Sequence, residues 1–398
     1  MNKGLLKGSI ILLISFNLFN FLNFIFNISM ARLLTLAEYG VLTTLISLII
    51  IFAIFSESIQ TVLSKYTTKE KVRGKLKNLA KKAFRKAGTI SIIILIIYLI
   101  IGLFIAQFLN ISYSLISLTG IMLFISFFIP VTRGILQGRK QFSSLGINMV
   151  WEGLIKLVLS IGLVILGIGV LGALLGMIIG SAGAFLISLF SLRDIFITKE
   201  KKIKTPEIYT YTKPVFITTL AIVLFLSFDI ILARRFFSPD IVGVYAIGST
   251  IAKIIFIGTH PISKAMFPIS SETKKPKDSL KVLKNSIAIL VVLIALALVF
   301  IFFFADLIIW LFAGRYIPEA ASILFYLAIA MSLLSLTNLI LLYNLSLGIL
   351  KSSWLLLVFI VIQVILLSVF NSNLIEFSFA LITSAAAFLW GAIFLLKK

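Results

Sequence analysis

Apolar residues in this chain come in long uninterrupted runs separated by short polar breaks. The runs lie near residues 8–30, 40–63, 87–109, 112–131, 143–166, 168–191, 215–236, 241–263, 285–312, 319–346, 352–370 and 373–395. Each is close to the roughly 20 apolar residues that a helix needs to cross the hydrocarbon core of a bilayer. The pattern therefore predicts an all-α integral membrane protein of about twelve transmembrane helices. The least marked boundary falls inside 143–191, where only Gly167 and Gly169 interrupt the run.

Composition agrees. Hydrophobic residues make up 61% of 398 and charged residues 13%, with a mean hydropathy of +1.17, against about 45–50% and about 25% in an ordinary soluble domain. Little length is left for a soluble domain. There is no cysteine and a single histidine, His260, so disulfides, thiolate chemistry, Cys-based metal sites and multi-His sites are excluded.

A net charge of +22 would suggest nucleic acid in a soluble protein. Here the charge sits in short loops and reports orientation, and no nucleic-acid partner is expected. With the N-terminus in the cytoplasm, 30 of the 36 basic residues fall in inside segments, including all ten between Lys65 and Lys86. Four fall outside (Arg32, Arg234, Arg235, Arg315) and two within spans (Lys156, Lys253). The positive-inside rule then places both termini in the cytoplasm of a multi-pass protein of the cell membrane. Lys3 and Lys7 precede a first run with no small-residue cleavage site, which reads as a retained span.

The chain also repeats. Ala31-Arg32, Glu38 and Gly40 after the first span recur as Ala233-Arg234, Asp240 and Gly243 after the seventh. Six spans separate the copies, an even number, so the halves share one orientation and are related by a pseudo-two-fold along the membrane normal. The basic stretch 193–213 is the natural linker, dividing the chain into six-helix lobes at 1–204 and 205–398.

Polar groups inside the spans are the candidates for chemistry. Asn17, Asn20, Asn23 and Asn27 share one face of span 1 and run outward toward Arg32, the pattern of a wet cavity wall. Thr43, Ser47, Glu57 and Thr61 in span 2, and Tyr245, Ser249, Lys253 and His260 in span 8, make two further polar faces. Matching Gly40 to Gly243 sets Glu57 and His260 at equivalent positions near the inner ends, as a candidate gate. An ionisable group at a helix centre costs about 2.5–3.5 kcal/mol on insertion scales. Glu152 and Lys156, four apart with the acid first, suggest an internal ion pair. Lys253 has no such local partner and is the candidate anion-binding residue, with Asp229 either its partner or a cation-coupling carboxylate. Gly172, Gly176 and Gly180 mark close helix packing. The outer loops are short, and no nucleotide-binding glycine loop or metal-spaced acid cluster appears. Neither an enzyme nor a cofactor is expected.

Several segments in order carry a resemblance. Met30-Ala31-Arg32-Leu33-Leu34 with Glu38-Tyr39-Gly40, then Gly134-Ile135-Leu136-Gln137-Gly138 with Phe142, are similar to the polysaccharide-export (Wzx-type) flippases of the MOP superfamily, which also holds the MATE exporters. So are Asp229 with Gly243-Val244-Tyr245, Pro268 ending span 8, and Leu311-Phe312 followed by Gly314-Arg315-Tyr316 and Ala320-Ala321. The resemblance implies a MATE-like arrangement of two lobes around a cavity lined by spans 1, 2, 7 and 8. It implies alternating access that carries polyprenyl-(pyro)phosphate-linked oligosaccharide from the cytoplasmic to the outer leaflet. The substrate's diphosphate would meet Lys253, Arg32 and Arg234, while Glu57, Asp229 and His260 would gate or couple to a proton or sodium ion. Membrane lipids, a glycan polymerase and glycosyltransferases are the expected partners. Two other readings are an ion-coupled exporter of drugs or metabolites, which predicts an acid-dominated cavity, and a membrane-embedded glycosyl polymerase or ligase, which predicts a large outer loop.

The topology is testable: cysteines placed at Thr68 and Ser279 will be labelled only from the cytoplasmic side of sealed vesicles, and one at Ser238 only from outside. Labelling of both classes from one side contradicts it.

Overall fold

The computed structural model of the chain describes residues 3–203, 213–272, 276–348 and 353–396, and every regular element among them is helical. The helices are α1 (Lys3–Leu33), α2 (Leu36–Lys69), α3 (Arg73–Leu109), α4 (Tyr113–Ser126), α5 (Ile129–Gly138), α6 (Phe142–Leu163) and α7 (Gly169–Ser191). They continue as α8 (Arg193–Ile197), α9 (Lys213–Phe236), α10 (Pro239–Glu272), α11 (Pro276–Ala313), α12 (Pro318–Ser346), α13 (Leu356–Val369) and α14 (Leu374–Leu396). Ten stretches are long and apolar enough to cross a bilayer, and Ser353–Val369 is a shorter apolar helix. One of the ten, Phe142–Ser191, has 50 residues, too many for one crossing at about 1.5 Å per residue. It is α6 and α7 joined by a π-helical turn at Val164–Ile168, where Gly167 (φ 84°) and Gly169 (φ 57°) take positive dihedrals. Glycine adopts these at no steric cost. With α6 and α7 counted separately and the shorter helix added, the described residues hold twelve apolar helical stretches, in the order of the twelve apolar runs.

Glycine also sets how closely α6 and α7 approach. A methyl group on Gly172 would meet Leu163, one on Gly176 would meet Ser160, and one on Gly180 would meet the backbone of Lys156 and Glu152. In the gap so formed Ser160 donates to the Ala173 carbonyl at 3.0 Å. The predicted packing role of this series holds.

The fourth crossing runs further than its apolar run indicated. It breaks after Ser126 and resumes as α5, with Pro130 in the first turn, where its missing N–H breaks no helical bond. Gly134 and Gly138 then lie against Gln60, Leu63, Ser64 and Thr67 of α2, and Gln60 donates to Gln137 at 3.0 Å. Arg133 consequently sits on a helix and not in a loop. Similarly α10 continues through Pro261 and Pro268 to Glu272, past the end predicted at Pro268. Proline is tolerated in transmembrane helices because neighbouring groups satisfy the freed carbonyls.

The chain forms two compact units, one of Met1–Leu34 with Leu48–Thr210, the other of Thr35–Ser47 with Tyr211–Lys398. In the first, the end carrying the basic residues is stitched by polar bonds. Arg139 grips Asp194 at 2.9 and 2.7 Å and holds its carboxyl below the usual range. Asn78 donates to Glu200 at 2.5 Å, and Lys77 to the Phe196 and Thr198 carbonyls at 2.5 and 3.0 Å. Beneath this lies a core of small and apolar side chains, among them Leu79, Ala80, Ala83, Ala87 and Ile135. In the second unit the start of α2 crosses the start of α10 at Gly40 and Gly243, glycines from the two copies of the repeated motif. Buried Tyr39 donates to Thr250 at 3.3 Å beside that crossing. The outward faces of α3 and α11, with Ile93, Ile97, Ile100 and Phe104, and Val292, Leu296, Val299 and Phe303, are apolar and exposed, as a lipid-facing surface requires.

A methyl on Gly243 would strike the backbone of Leu36, whereas one on Gly258 meets nothing within 4 Å. We expect Gly243→Val to destabilise the protein by about 1–3 kcal/mol, the usual cost of overpacking, visible as a lower thermal midpoint in detergent. Gly258→Ala is expected to leave the midpoint unchanged. Equal midpoints for all three proteins contradict the close crossing.

Candidate functional site

Inside lipid a charged side chain needs a partner, and the described structure shows how Arg133, Glu152, Lys156, Asp229 and Lys253 find theirs. In the first unit, α5 brings the Arg133 guanidinium to Glu152 of α6 at 2.5 Å. Both are largely buried, at 12% and 14% exposure. Arg133 also donates to Asn148 Oδ1 at 2.8 Å. Asn148 in turn donates to the Ala184 carbonyl at 2.5 Å, and Ser181 donates to the second Glu152 oxygen at 3.1 Å. The carboxylate is thus neutralised and hydrogen-bonded on both oxygens.

The ion pair expected within α6 is not made at contact distance, although Glu152 still acts on Lys156 electrostatically. Lys156 instead donates to Asn23 Oδ1 on α1, and its ammonium lies 4.5 Å from the centre of the Phe26 ring, a cation–π distance. Among the described residues no carboxylate lies within 4 Å of it. The sequence tied Lys156 to Glu152 because Arg133 was read as lying in a loop, and only the continuation of α5 shows the competitor.

Asn23 belongs to the predicted amide stripe, and the stripe has a consistent orientation. Asn17, Asn23 and Asn27 each donate their NH2 to the carbonyl four residues back, at 2.8, 3.0 and 2.8 Å. The amide nitrogens are thereby engaged with their own helix, which leaves the side-chain oxygens as acceptors, that of Asn23 taken by Lys156. Asn20 is half-buried beside them, and Arg32 is exposed in the last turn of α1. Lys156 meets the stripe at Asn23, between Asn20 and Asn27.

The second unit collects its charges on one carboxylate. Asp229 of α9 is fully buried. It accepts from Lys253 at 3.0 Å, from Ser249 at 2.7 Å and from Tyr245 at 3.3 Å. These three donors follow one another at four-residue intervals on α10, so the polar face read from the sequence converges on Asp229. Lys253, a candidate anion-binding residue with Asp229 as a possible partner, has that partner here. Arg234 is buried in the last turn of α9. His260 pairs its Nδ1 with the Asn338 amide at 3.1 Å and lies against Phe256, ring centres 5.7 Å apart. Since the amide nitrogen can only donate, the ring nitrogen accepts and is unprotonated there. Glu57 lies on α2, and its side chain falls outside the described residues. No cluster of three metal-binding side chains occurs among those described.

Fold and site together define a polytopic helical membrane protein with the architecture of the MOP-superfamily transporters. A multidrug-resistance MATE transporter of that superfamily, in its inward-facing conformation, matches over 94% of both chains with a TM-score of 0.74 and 16% identity. The lipid II flippase MurJ, inward closed, matches over 98% of this chain and 88% of its own, with a TM-score of 0.70 and 15% identity. A MOP-superfamily transporter of Pyrococcus furiosus, described as having a binding pocket of reverse polarity, matches over 100% and 96% with a TM-score of 0.61 and 17% identity. The chain belongs to the polysaccharide biosynthesis protein family, whose model matches residues 5–274. No curated protein matches it in sequence.

The Asp229 cluster makes a double-mutant prediction. Removing one member of a buried pair costs about 3–5 kcal/mol because the other charge is stranded, whereas removing both is far milder. Asp229→Asn alone and Lys253→Met alone should each lower the thermal midpoint in detergent more than the combined variant does. If the losses of the single variants simply add, the two groups do not neutralise one another.

Proposed function

We propose that this protein is a flippase that moves polyprenyl-(pyro)phosphate-linked oligosaccharide from the cytoplasmic to the outer leaflet by alternating access. The observation that carries this reading is Lys156, a deep ammonium with no carboxylate in direct contact among the described residues, bonded to Asn23 within a row of asparagine oxygens. A phosphate-bearing headgroup needs cations and its sugars need hydrogen-bond partners, while the prenyl chain can remain in lipid. Lys156 supplies the first, and the Asn17, Asn20, Asn23 and Asn27 stripe supplies the second as acceptors for sugar hydroxyls. Arg32 and Arg234 lie at the helix ends toward which such a headgroup would leave. Membership in the polysaccharide biosynthesis family supports a glycan as cargo, and the fold shared with a lipid II flippase supports its delivery on a lipid.

Within this reading Lys156 carries the anion-binding role expected of Lys253, and the Asp229–Lys253 pair becomes the natural coupling element. A carboxylate that exchanges its lysine for a proton or sodium ion changes the charge of its unit, and charge change is what alternating access requires of a coupling site. The exporter reading needs an acid-dominated site for organic cations. The two buried or half-buried acids of the charged clusters, Glu152 and Asp229, are both neutralised by basic partners, which favours the flippase.

Export of the lipid-linked glycan in a strain deprived of its own flippase is expected to fall at least about tenfold in Lys156→Ala, as loss of a charge-assisted contact of about 1.5–3 kcal/mol implies, and to recover partly in Lys156→Arg. Protein levels are matched by immunoblot. Full export by the alanine variant removes Lys156 from the substrate path.

A further inference from the structure

The first unit contains a cavity that neither charged cluster uses. It measures about 630 Å³ and is lined by carbon alone, with Phe84, Phe124, Phe128, Phe185, Leu189 and Phe196 forming most of its wall. These residues come from α3, α4, α7 and α8 and from the break between α4 and α5. The amide stripe and Lys156, on α1 and α6, share none of them.

The phenylalanines are mutually braced and only half-buried. Phe84 lies 6.0 to 6.4 Å from Phe128, Phe185 and Phe196, and Phe128 lies 5.0 Å from Phe124 and 5.8 Å from Phe185, centre to centre. Their mutual contacts hold the wall in place without filling the space. Phe196 is fixed at one edge, because Lys77 donates to its carbonyl.

Position and charge indicate the occupant. Phe84 is in the basic first third of α3, Phe185 and Leu189 are in the last turns of α7, and Phe196 is in α8, so the cavity sits where the apolar helices meet the chain's densest positive charge. Arg85 adjoins Phe84 and is exposed, and Arg193 is exposed with its guanidinium 4.9 Å from the centre of the Phe190 ring. No carboxylate is paired with either among the described residues. Lys77, Lys81 and Lys82, by contrast, are engaged by Glu200 or by backbone carbonyls of residues 196–203. An all-carbon recess on the elements that carry two exposed guanidinium groups, neither paired with a carboxylate among the described residues, suits a hydrocarbon chain that ends in phosphate.

We propose that this phenylalanine-lined groove holds one acyl chain of an anionic phospholipid of the cytoplasmic leaflet, with its phosphate against Arg85 and Arg193. The inference is independent of which cargo the protein carries.

The purified full-length protein, exposed in mild detergent to equimolar phosphatidylglycerol and phosphatidylcholine with identical chains, should retain the anionic lipid several-fold over the zwitterionic one by native mass spectrometry. Ala182→Trp, which fills the groove, should remove the retained lipid. Arg85→Gln with Arg193→Gln should equalise the two lipids without abolishing retention. Retention undiminished by Ala182→Trp, or a preference undiminished by the paired glutamines, overturns the proposal. So does displacement of phosphatidylglycerol by an equal concentration of polyprenyl phosphate, which would give the groove to a prenyl chain. If Ala182→Trp does not fold, Phe185→Trp in a background with Trp151, Trp310, Trp354 and Trp390 changed to Phe serves instead. Phosphatidylglycerol brominated on its chains should quench that tryptophan more than brominated phosphatidylcholine does, and equal quenching overturns the proposal.

Discussion

The contact between Arg133 and Glu152 determines what the rest of the first unit can do. A carboxylate in a membrane helix takes the best cation in reach, and a bonded guanidinium outcompetes an ammonium on the carboxylate's own helix, because its planar donors fit the acid while a second nitrogen reaches Asn148. Once Glu152 is satisfied in this way, Lys156 must be stabilised by a neutral oxygen and an aromatic face. Both come from α1. Lys156 and the amide stripe are therefore joined through Asn23, with Glu152 acting on the ammonium only at a distance.

That arrangement depends on how closely the helices approach. Gly180 lets α7 lie on the α6 backbone at Lys156 and Glu152, and Gly134 and Gly138 let α5 lie on α2, which carries Arg133 to its acid. In lipid no hydrophobic force draws helices together, so small residues and polar bonds do most of that work. The second unit follows the same rule with different parts. Gly40 and Gly243 set a close crossing, and Ser249, Tyr245 and Lys253 together satisfy Asp229. The resulting site is neutral, which suits a group that exchanges a partner more than one that holds an anion unaided.

Much of this was legible in the chain itself. Twelve apolar runs gave the crossings, including the turn at Gly167 and Gly169, because run length in a bilayer is a direct measure of helix length. The periodicity of Asn17, Asn20, Asn23 and Asn27 pointed to the side of α1 on which Asn23 meets Lys156, and the three polar residues of α10 do converge on Asp229. The pairing of charges was not legible. Sequence proximity favoured Glu152 with Lys156, and the run ending before Arg133 hid the competitor that Pro130 allows to stay helical. The use of α2 was equally hidden, since its first turns group with residues from 211 onward and nothing in an unbroken apolar run marks such a division.

The central claim is that the Lys156 ammonium, beside the amide stripe, recognises the phosphate of a lipid-linked glycan. Equilibrium binding of the purified protein to one glycan carried either on a polyprenyl diphosphate or on the corresponding uncharged polyprenyl ether tests it most directly. The wild-type protein should bind the diphosphate at least about tenfold more tightly, a difference of about 1.4 kcal/mol, and Lys156→Met should bring the two affinities together. A preference for the diphosphate that survives unchanged in Lys156→Met would contradict the account.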